Sequence, residues 1–227
     1  MKPKDLKSPF KFEERRPLLQ DGVFYLPEFY TGPHIELEWE TSCIEFCSGN
    51  GDWIIERALR DPELRFVAVE LRFDRVRKIW SKMRNRGVKN LLIVCGEAFT
   101  FSRHYIPDAG ALEVYINFPD PWPKRKHAKH RLMQKPFLDE MARIVQGNFT
   151  FVTDDEVYMA QAEELLEAHP DFSGKVVRSL PGYGSSYFEE LWREKGKEIL
   201  YATYSRCVAE DQEDIHGVRA ELSHCST

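Results

Sequence analysis

The chain has 227 residues, enough to bury a full core, and one α/β domain is the expected count. Its 32 Lys and Arg against 37 Asp and Glu give a formal charge of −5, so any nucleic-acid site must come from local clustering. No stretch nears the ~18 apolar residues a membrane span needs, and Met1 is followed by no signal-like apolar segment. Five cysteines without a C-x-x-C pair point to reduced thiols rather than disulfides or zinc, so a soluble cytoplasmic protein without metal is expected.

Residues 1–33 read as a basic N-terminal arm (Lys2, Lys4, Lys7, Lys11, Arg15, Arg16) whose second half, with Val23 to Leu26, packs on the core. From residue 34 strands and helices alternate. Cys43 to Cys47 is a short strand running into the turn Ser48-Gly49-Asn50-Gly51-Asp52, and a helix with Ile54, Ile55, Ala58 and Leu59 ends at Pro62. Phe66 to Val69 is a second buried strand closing on Glu70. The next helix, Phe73 to Arg86, sets Phe73, Val76, Trp80 and Met83 on one face and Arg75, Arg77, Lys78, Lys82 and Arg84 on the other. Such a basic face is most often merely solvated.

Leu91 to Cys95 is the third strand, ending near Gly96-Glu97-Ala98, and Val114 to Phe118 the fourth. A helix follows Pro136. Asn148 to Thr153 is the fifth strand, ending on Asp154, with another helix through Met159 to Leu166. Runs at 175–180 and 199–204 suit further strands, separated by a Gly/Ser-rich connector at 181–186. Residues 206–227 form a polar tail. The alternation predicts a doubly wound, mainly parallel α/β sheet over 34–205.

The fourth strand carries the most informative stretch. Asn117-Phe118-Pro119-Asp120-Pro121-Trp122 fixes a carboxylate on a proline-stiffened turn at a strand's carboxyl end, where open α/β sheets bind ligands. Lys124, Arg125, Lys126, Lys129 and Arg131 follow with no acid among them, a local cationic run suited to phosphate. Glu70, Glu97, Asp120 and Asp154 stand at or just past four strand ends on one rim, and Glu45 lies just before the glycine turn. Gly49 and Gly51 allow close backbone approach to a ligand, and Glu70, nineteen residues after Gly51, suits the two hydroxyls of a ribose. Ile54 replaces the third glycine of a dinucleotide fingerprint, which disfavours hydride transfer and favours an adenosine-type ligand without a pyrophosphate, such as S-adenosylmethionine.

These residues resemble the bacterial tRNA (guanine-N7-)-methyltransferase family: Glu45-x-x-x-Gly49-Asn50-Gly51, Val69-Glu70, Gly87-Val88-Lys89-Asn90, Tyr115 through Lys124, His127, Lys129, Arg131-Leu132 and Thr153-Asp154. The match spans about residues 34–204. It implies a class I, Rossmann-like fold that uses S-adenosylmethionine to methylate guanine N7 in the tRNA variable loop. By the same resemblance Glu45, Gly49, Gly51, Glu70, Glu97 and Asp120 would hold the cofactor, and Asp120 is also the catalytic carboxylate. Lys124, Asp154 and the segment Ser186, Tyr187, Phe188 and Glu189 would contact tRNA. Cys47 stands where the family usually has a glycine, Glu97 replaces Asp, Ser186 replaces Thr, and Leu191 replaces a basic residue.

The chemistry agrees with that likeness. Guanine N7 carries a free lone pair and no proton, so in-line methylation needs positioning and charge stabilisation rather than a base. Trp122 or Phe118 could stack on a splayed base. Two rivals remain: a methyltransferase acting on an exocyclic amine, and a non-catalytic RNA-binding subunit with the same fold. Monomer and homodimer are both open.

Overall fold

In the computed structural model, residues 1–10, 15–28, 30–184 and 187–207 are described. The described residues form one nine-stranded sheet in the order β1-β2-β5-β4-β3-β6-β7-β9-β8. The strands are β1 (Leu18–Gln20), β2 (Val23–Tyr25), β3 (Cys43–Phe46), β4 (Phe66–Glu70), β5 (Leu91–Cys95), β6 (Ala111–Asn117), β7 (Val145–Thr153), β8 (Phe172–Val177) and β9 (Leu200–Arg206). The helices are α1 (Asp52–Arg60), α2 (Phe73–Arg86), α3 (Ala98–Tyr105), α4 (Lys135–Ile144), α5 (Glu156–Glu167) and α6 (Tyr187–Glu194).

Strands β2 to β7 pair in parallel, and β1, β9 and β8 add antiparallel edges. The doubly wound, mainly parallel sheet expected from the alternation is present. The chain steps outward from β3 to β4 and β5, then returns to the other side of β3 with β6. That reversal opens a crevice at the carboxyl ends of β3 and β6, the place where such sheets take ligands.

Alternation along each strand divides the core in two. Ile44, Phe46, Val67, Val69, Val94, Val114, Ile116, Phe149 and Phe151 face one side with residues of α3, α4 and α5, among them Phe101, Met141 and Tyr158. Phe66, Ala68, Ile93, Tyr115 and Val152 face the other with Trp53, Ile54 and Ile55 of α1 and Val76, Ile79 and Trp80 of α2. Strands buried on both faces read as continuous apolar runs, and for that reason β3 to β7 are visible in the sequence.

Several features go beyond the sequence reading. The second half of the 1–33 segment does pack on the core, as strands: Val23–Tyr25 pair with Ile93–Cys95. The basic face of α2 is largely occupied by local partners. Arg77 donates to the Pro3 carbonyl (2.8 Å) and Arg84 to that of Asp21 (3.3 Å), while Lys78 and Lys82 reach Asn50. Helices α3 and α6 are additional. Of the C-terminal tail, residues 208–227 lie outside the described residues, and Arg206 still belongs to β9.

Candidate active site

The turn after β3 is built by hydrogen bonds to its own neighbours. The Ser48 amide donates to the Val69 carbonyl (3.1 Å), its hydroxyl to the Glu45 carbonyl (2.8 Å), and the Gly51 amide to the Ser48 carbonyl (2.8 Å). Gly51 has φ +76°, and a Cβ there would lie 2.8 Å from Ile79 Cγ1, so only glycine lets the turn sit against α2. Lys82 Nζ donates to the Asn50 carbonyl at 2.9 Å and Lys78 Nζ to Asn50 Oδ1 at 3.2 Å, fastening the outer side. Cys47, the family's glycine position, has φ +61°, so the backbone asks for glycine there and the cysteine is held in a left-handed conformation.

Glu70 closes β4 and is buried. Its Oε2 accepts from the Gly49 amide and its Oε1 from the Arg72 amide, both at 2.8 Å. Burial raises its pKa, opposed by those two amides and by the nearby Arg75 guanidinium. Glu97 caps α3: Oε1 accepts from the Phe99 amide (2.8 Å), and Oε2 from the Thr100 amide and hydroxyl (both 2.7 Å). Much of its acceptor capacity is committed to the helix.

Strand β6 ends on Asn117, and Phe118 follows with φ +49°. The Phe118 amide donates to the Val152 carbonyl (2.9 Å), while Arg131 Nε donates to the Pro121 carbonyl (2.7 Å). Arg131 is itself buried, with Nη1 on Gln161 Oε1 (2.6 Å) and its guanidinium 4.8 Å from the Tyr158 ring centroid. It therefore fastens the loop and drops out of the phosphate-contacting run. Asp120, Lys124, Lys126 and Lys129 are exposed. Trp122 packs its ring near those of His127 (5.9 Å) and His130 (5.2 Å).

Glu70, Glu97 and Asp120 line one cleft of about 280 Å³ with Cys47, Phe118 and Trp122. Glu45, two residues before the lining residue Cys47, does not line it: it is fully buried, with Oε1 accepting from Asn117 Nδ2 at 2.7 Å. Its Oε2 is buried with no hydrogen-bond partner in the structure. Burial pushes this carboxyl up to about 8, opposed by the Asn117 hydrogen bond.

The expected substrate residues are more dispersed. Asp154 follows β7 and pairs with Lys197. Glu189 is buried in the contact between α6 and β9, where its Oε1 accepts from Tyr201 Oη (2.7 Å) and Arg193 Nη2 (3.0 Å). Ser186 and the side chains of Tyr187, Phe188 and Arg125 lie outside what is described. Among the described residues no group of three or more His, Cys, Asp and Glu side chains could hold a metal ion, and no helix is long and apolar enough to cross a membrane.

Sequence reasoning gave no role to Asn117 or Tyr183. Tyr183 Oη donates to Asn117 Oδ1 at 2.8 Å, which joins it to Glu45. Position offered the only signal: Asn117 is the last residue of β6, and Tyr183 sits between two glycines of the connector.

The chain is similar to known proteins over most of its length. A family model described as "Putative methyltransferase" matches residues 40–202. A tRNA (guanine-N(7)-)-methyltransferase of Chlamydia pneumoniae is 46% identical over 218 residues, covering 90% of this chain and 97% of that protein. That of Chlamydia muridarum is 45% identical over 222 residues, covering 92% and 99%. Among solved structures, a SAM-dependent methyltransferase from Aquifex aeolicus superposes with TM-score 0.52 at 14% identity, covering 76% of this chain and 85% of its own, a likeness of fold.

Proposed function

The chain belongs to the tRNA (guanine-N7-)-methyltransferase family, and on that premise we propose how its residues divide the work. It is an enzyme that transfers a methyl group from S-adenosylmethionine to N7 of guanine in tRNA. The methylated guanine is, in this reading, in the variable loop.

The cleft suits the methyl donor on its own chemistry. It presents three carboxylates to a ligand that carries positive charge on its sulfonium and amino groups, and the buried Glu45 carboxyl nearby has an Oε2 that makes no hydrogen bond. Each Glu70 oxygen accepts one amide and keeps a lone pair for a ribose hydroxyl. Gly49 and Gly51 bring backbone to the cofactor side, Glu45 holds a buried carboxyl before that turn, and Glu97 contributes chiefly by starting α3. When bound, S-adenosylmethionine supplies a methyl on a cationic sulfonium, open to in-line displacement.

Asp120 sits on the exposed lip of that cleft, on a turn stiffened by Pro119 and Pro121. N7 attacks with its own lone pair, so Asp120 has no proton to remove; its charge stabilises the cation that develops on the purine. Trp122 offers a flat surface beside it for the base. Lys124, Lys126 and Lys129 contact phosphate, and Asp154 with the 186–189 segment completes the substrate side.

The juxtaposition of Asp120 with Glu70 and Glu97 in one cleft at the carboxyl ends of the parallel strands carries this reading. Methyl transfer from labelled S-adenosylmethionine to unmodified tRNA transcripts tests it, with product mapped by reduction and aniline cleavage. A single cut in the variable loop is expected. Cleavage elsewhere would refute the placement of the guanine, and incorporation without cleavage would point to an exocyclic amine.

A further inference from the structure

A chain of buried polar contacts runs from the cofactor side of the cleft to the segment assigned to tRNA. It begins at Glu45, whose Oε1 accepts from Asn117 Nδ2 (2.7 Å). Asn117 Oδ1 in turn accepts from Tyr183 Oη (2.8 Å), and the Tyr183 carbonyl accepts from Trp53 Nε1 (2.7 Å), two residues past the glycine turn. The Tyr183 ring packs edge-on to Tyr201 at 5.1 Å, and Tyr201 Oη donates to Glu189 Oε1 at 2.7 Å. Tyr183 and Tyr201 are each 2% exposed, so little of this chain is shared with water.

The order of donors matters. An asparagine amide is a donor at one end and an acceptor at the other: with Nδ2 donating to Glu45 Oε1, Oδ1 is left to accept from the Tyr183 hydroxyl. Tyr183 Oη is the donor that holds Asn117 Oδ1, and removing it frees that end of the amide. Three residues after Tyr183 the 186–189 segment begins, and Glu189 is tied to the same aromatic stack from the far side.

We infer that Tyr183 is a positioning residue that couples occupancy of the cofactor cleft to the tRNA-binding segment. The inference rests on the assignment of Glu45 to the cofactor side and 186–189 to the substrate side. A ligand that draws on Glu45 shifts the Asn117 amide, and Tyr183 carries that shift through Tyr201 to Glu189 of α6. The coupling is reciprocal: S-adenosylhomocysteine tightens tRNA, and tRNA tightens S-adenosylhomocysteine by the same factor.

Tyr183→Phe removes one oxygen and keeps the ring in its stack. The test measures tRNA affinity of the full chain with and without saturating S-adenosylhomocysteine, in wild type and in Y183F. In wild type the ligand is expected to tighten tRNA at least about fivefold. In Y183F that factor falls below about twofold, while affinity for each ligand alone changes less than about threefold. Trp53→Phe, which releases the Tyr183 carbonyl, lowers the factor by a smaller amount and serves as an independent variant. Independent binding of the two ligands in wild type overturns the inference. So does a wild-type factor in both variants, or a loss of both affinities in step with a lowered melting temperature. Lys124→Ala and Asp154→Ala separate this from the substrate assignment: unchanged tRNA affinity in both refutes that assignment, whatever Y183F does.

Discussion

Two loops leave the carboxyl ends of neighbouring parallel strands, and they are built on opposite plans. The turn after β3, residues 47–51, is fastened from every side: by Glu70 to Gly49, by Lys78 and Lys82 to Asn50, and by Ile79 against Gly51. The loop after β6 has fastenings near its base, at Phe118 and at Pro121 through Arg131, and leaves Asp120, Lys124, Lys126 and Lys129 exposed. The first loop presents a fixed surface to a small ligand. The second keeps charge in solvent, where it can meet a polyanion and the base being methylated. Preorganisation is concentrated on the side where geometry decides the reaction, and free charge on the side where encounter does.

The largest effect that separates the two plans is catalytic. Asp120→Ala removes the charge beside the developing cation, and steady-state methyl transfer should fall by at least about 100-fold. Because Asp120 is not among the cationic contacts, tRNA affinity by filter binding should stay within a few-fold of wild type. An Asp120→Ala enzyme with near-normal turnover sinks the electrostatic role and leaves the exposed loop a docking element alone.

The next effect belongs to the fastened side and is read through pH. Burial pushes the Glu45 carboxyl up to about 8, so it is mostly protonated at neutral pH before a cationic ligand arrives. A sulfonium and ammonium favour the carboxylate. S-adenosylhomocysteine keeps only the ammonium, so S-adenosylmethionine is the better probe, and its affinity should rise with pH by up to about tenfold per unit below 8, then flatten. Calorimetry in wild type and Glu45→Gln checks this; a flat profile in wild type removes Glu45 from the site. Stability has the opposite sign. The carboxyl is raised on folding, so its contribution is fully present below the ordinary value of 4.5 and is lost as pH climbs through about 8.

Much of this site is legible in the sequence, and the missing parts share a cause. Strands β3 to β7 announce themselves because burial on both faces demands unbroken runs of Val, Ile, Phe and Leu. The acids at their ends follow from parallel topology, which puts every carboxyl end on one rim. Strands β1 and β2 are three residues each and carry no periodicity. Helix α3 starts on a glutamate cap rather than a Ser or Asp and is eight residues long. The fates of individual cations are the least legible. Lys82 and Lys124 look alike in composition, yet one holds a turn and the other faces solvent, because tertiary neighbours decide which charge is used internally. Arg131 shows the same rule inside a single run of cations.

That rule predicts a smaller effect on the exposed loop. Replacing Lys124, Lys126 and Lys129 together by Ala should weaken tRNA binding and lower the slope of log affinity against log salt by about 2–3 units, since each lysine neutralises a phosphate. Lys82→Ala should leave the slope alone, since that charge is already paired with Asp52 and the Asn50 carbonyl. Equal slopes for the triple variant and wild type would make the run a solvated face.

The smallest effect is the sharpest comparison, because the two loops share a strained feature. Cys47 in the turn (φ +61°) and Phe118 in the loop (φ +49°) are both held in the left-handed region, where an L side chain costs about 1–2 kcal/mol. Glycine relieves that strain at either position but adds about 0.5–1 kcal/mol of backbone entropy on folding. At Cys47 the side chain removed is small, worth about 1 kcal/mol of burial, so Cys47→Gly should leave stability within about 1 kcal/mol of wild type. At Phe118 the ring packs partly buried against the α1–α2 side of the core, and removing it costs about 1.5–3 kcal/mol. Phe118→Gly should therefore destabilise, and urea melts of the two variants decide the point. If Cys47→Gly proved as costly as Phe118→Gly, the turn's rigidity would lie in the cysteine side chain. It would not then lie in the hydrogen bonds and lysines that hold Gly49 and Asn50, and the contrast between the two loops would fail.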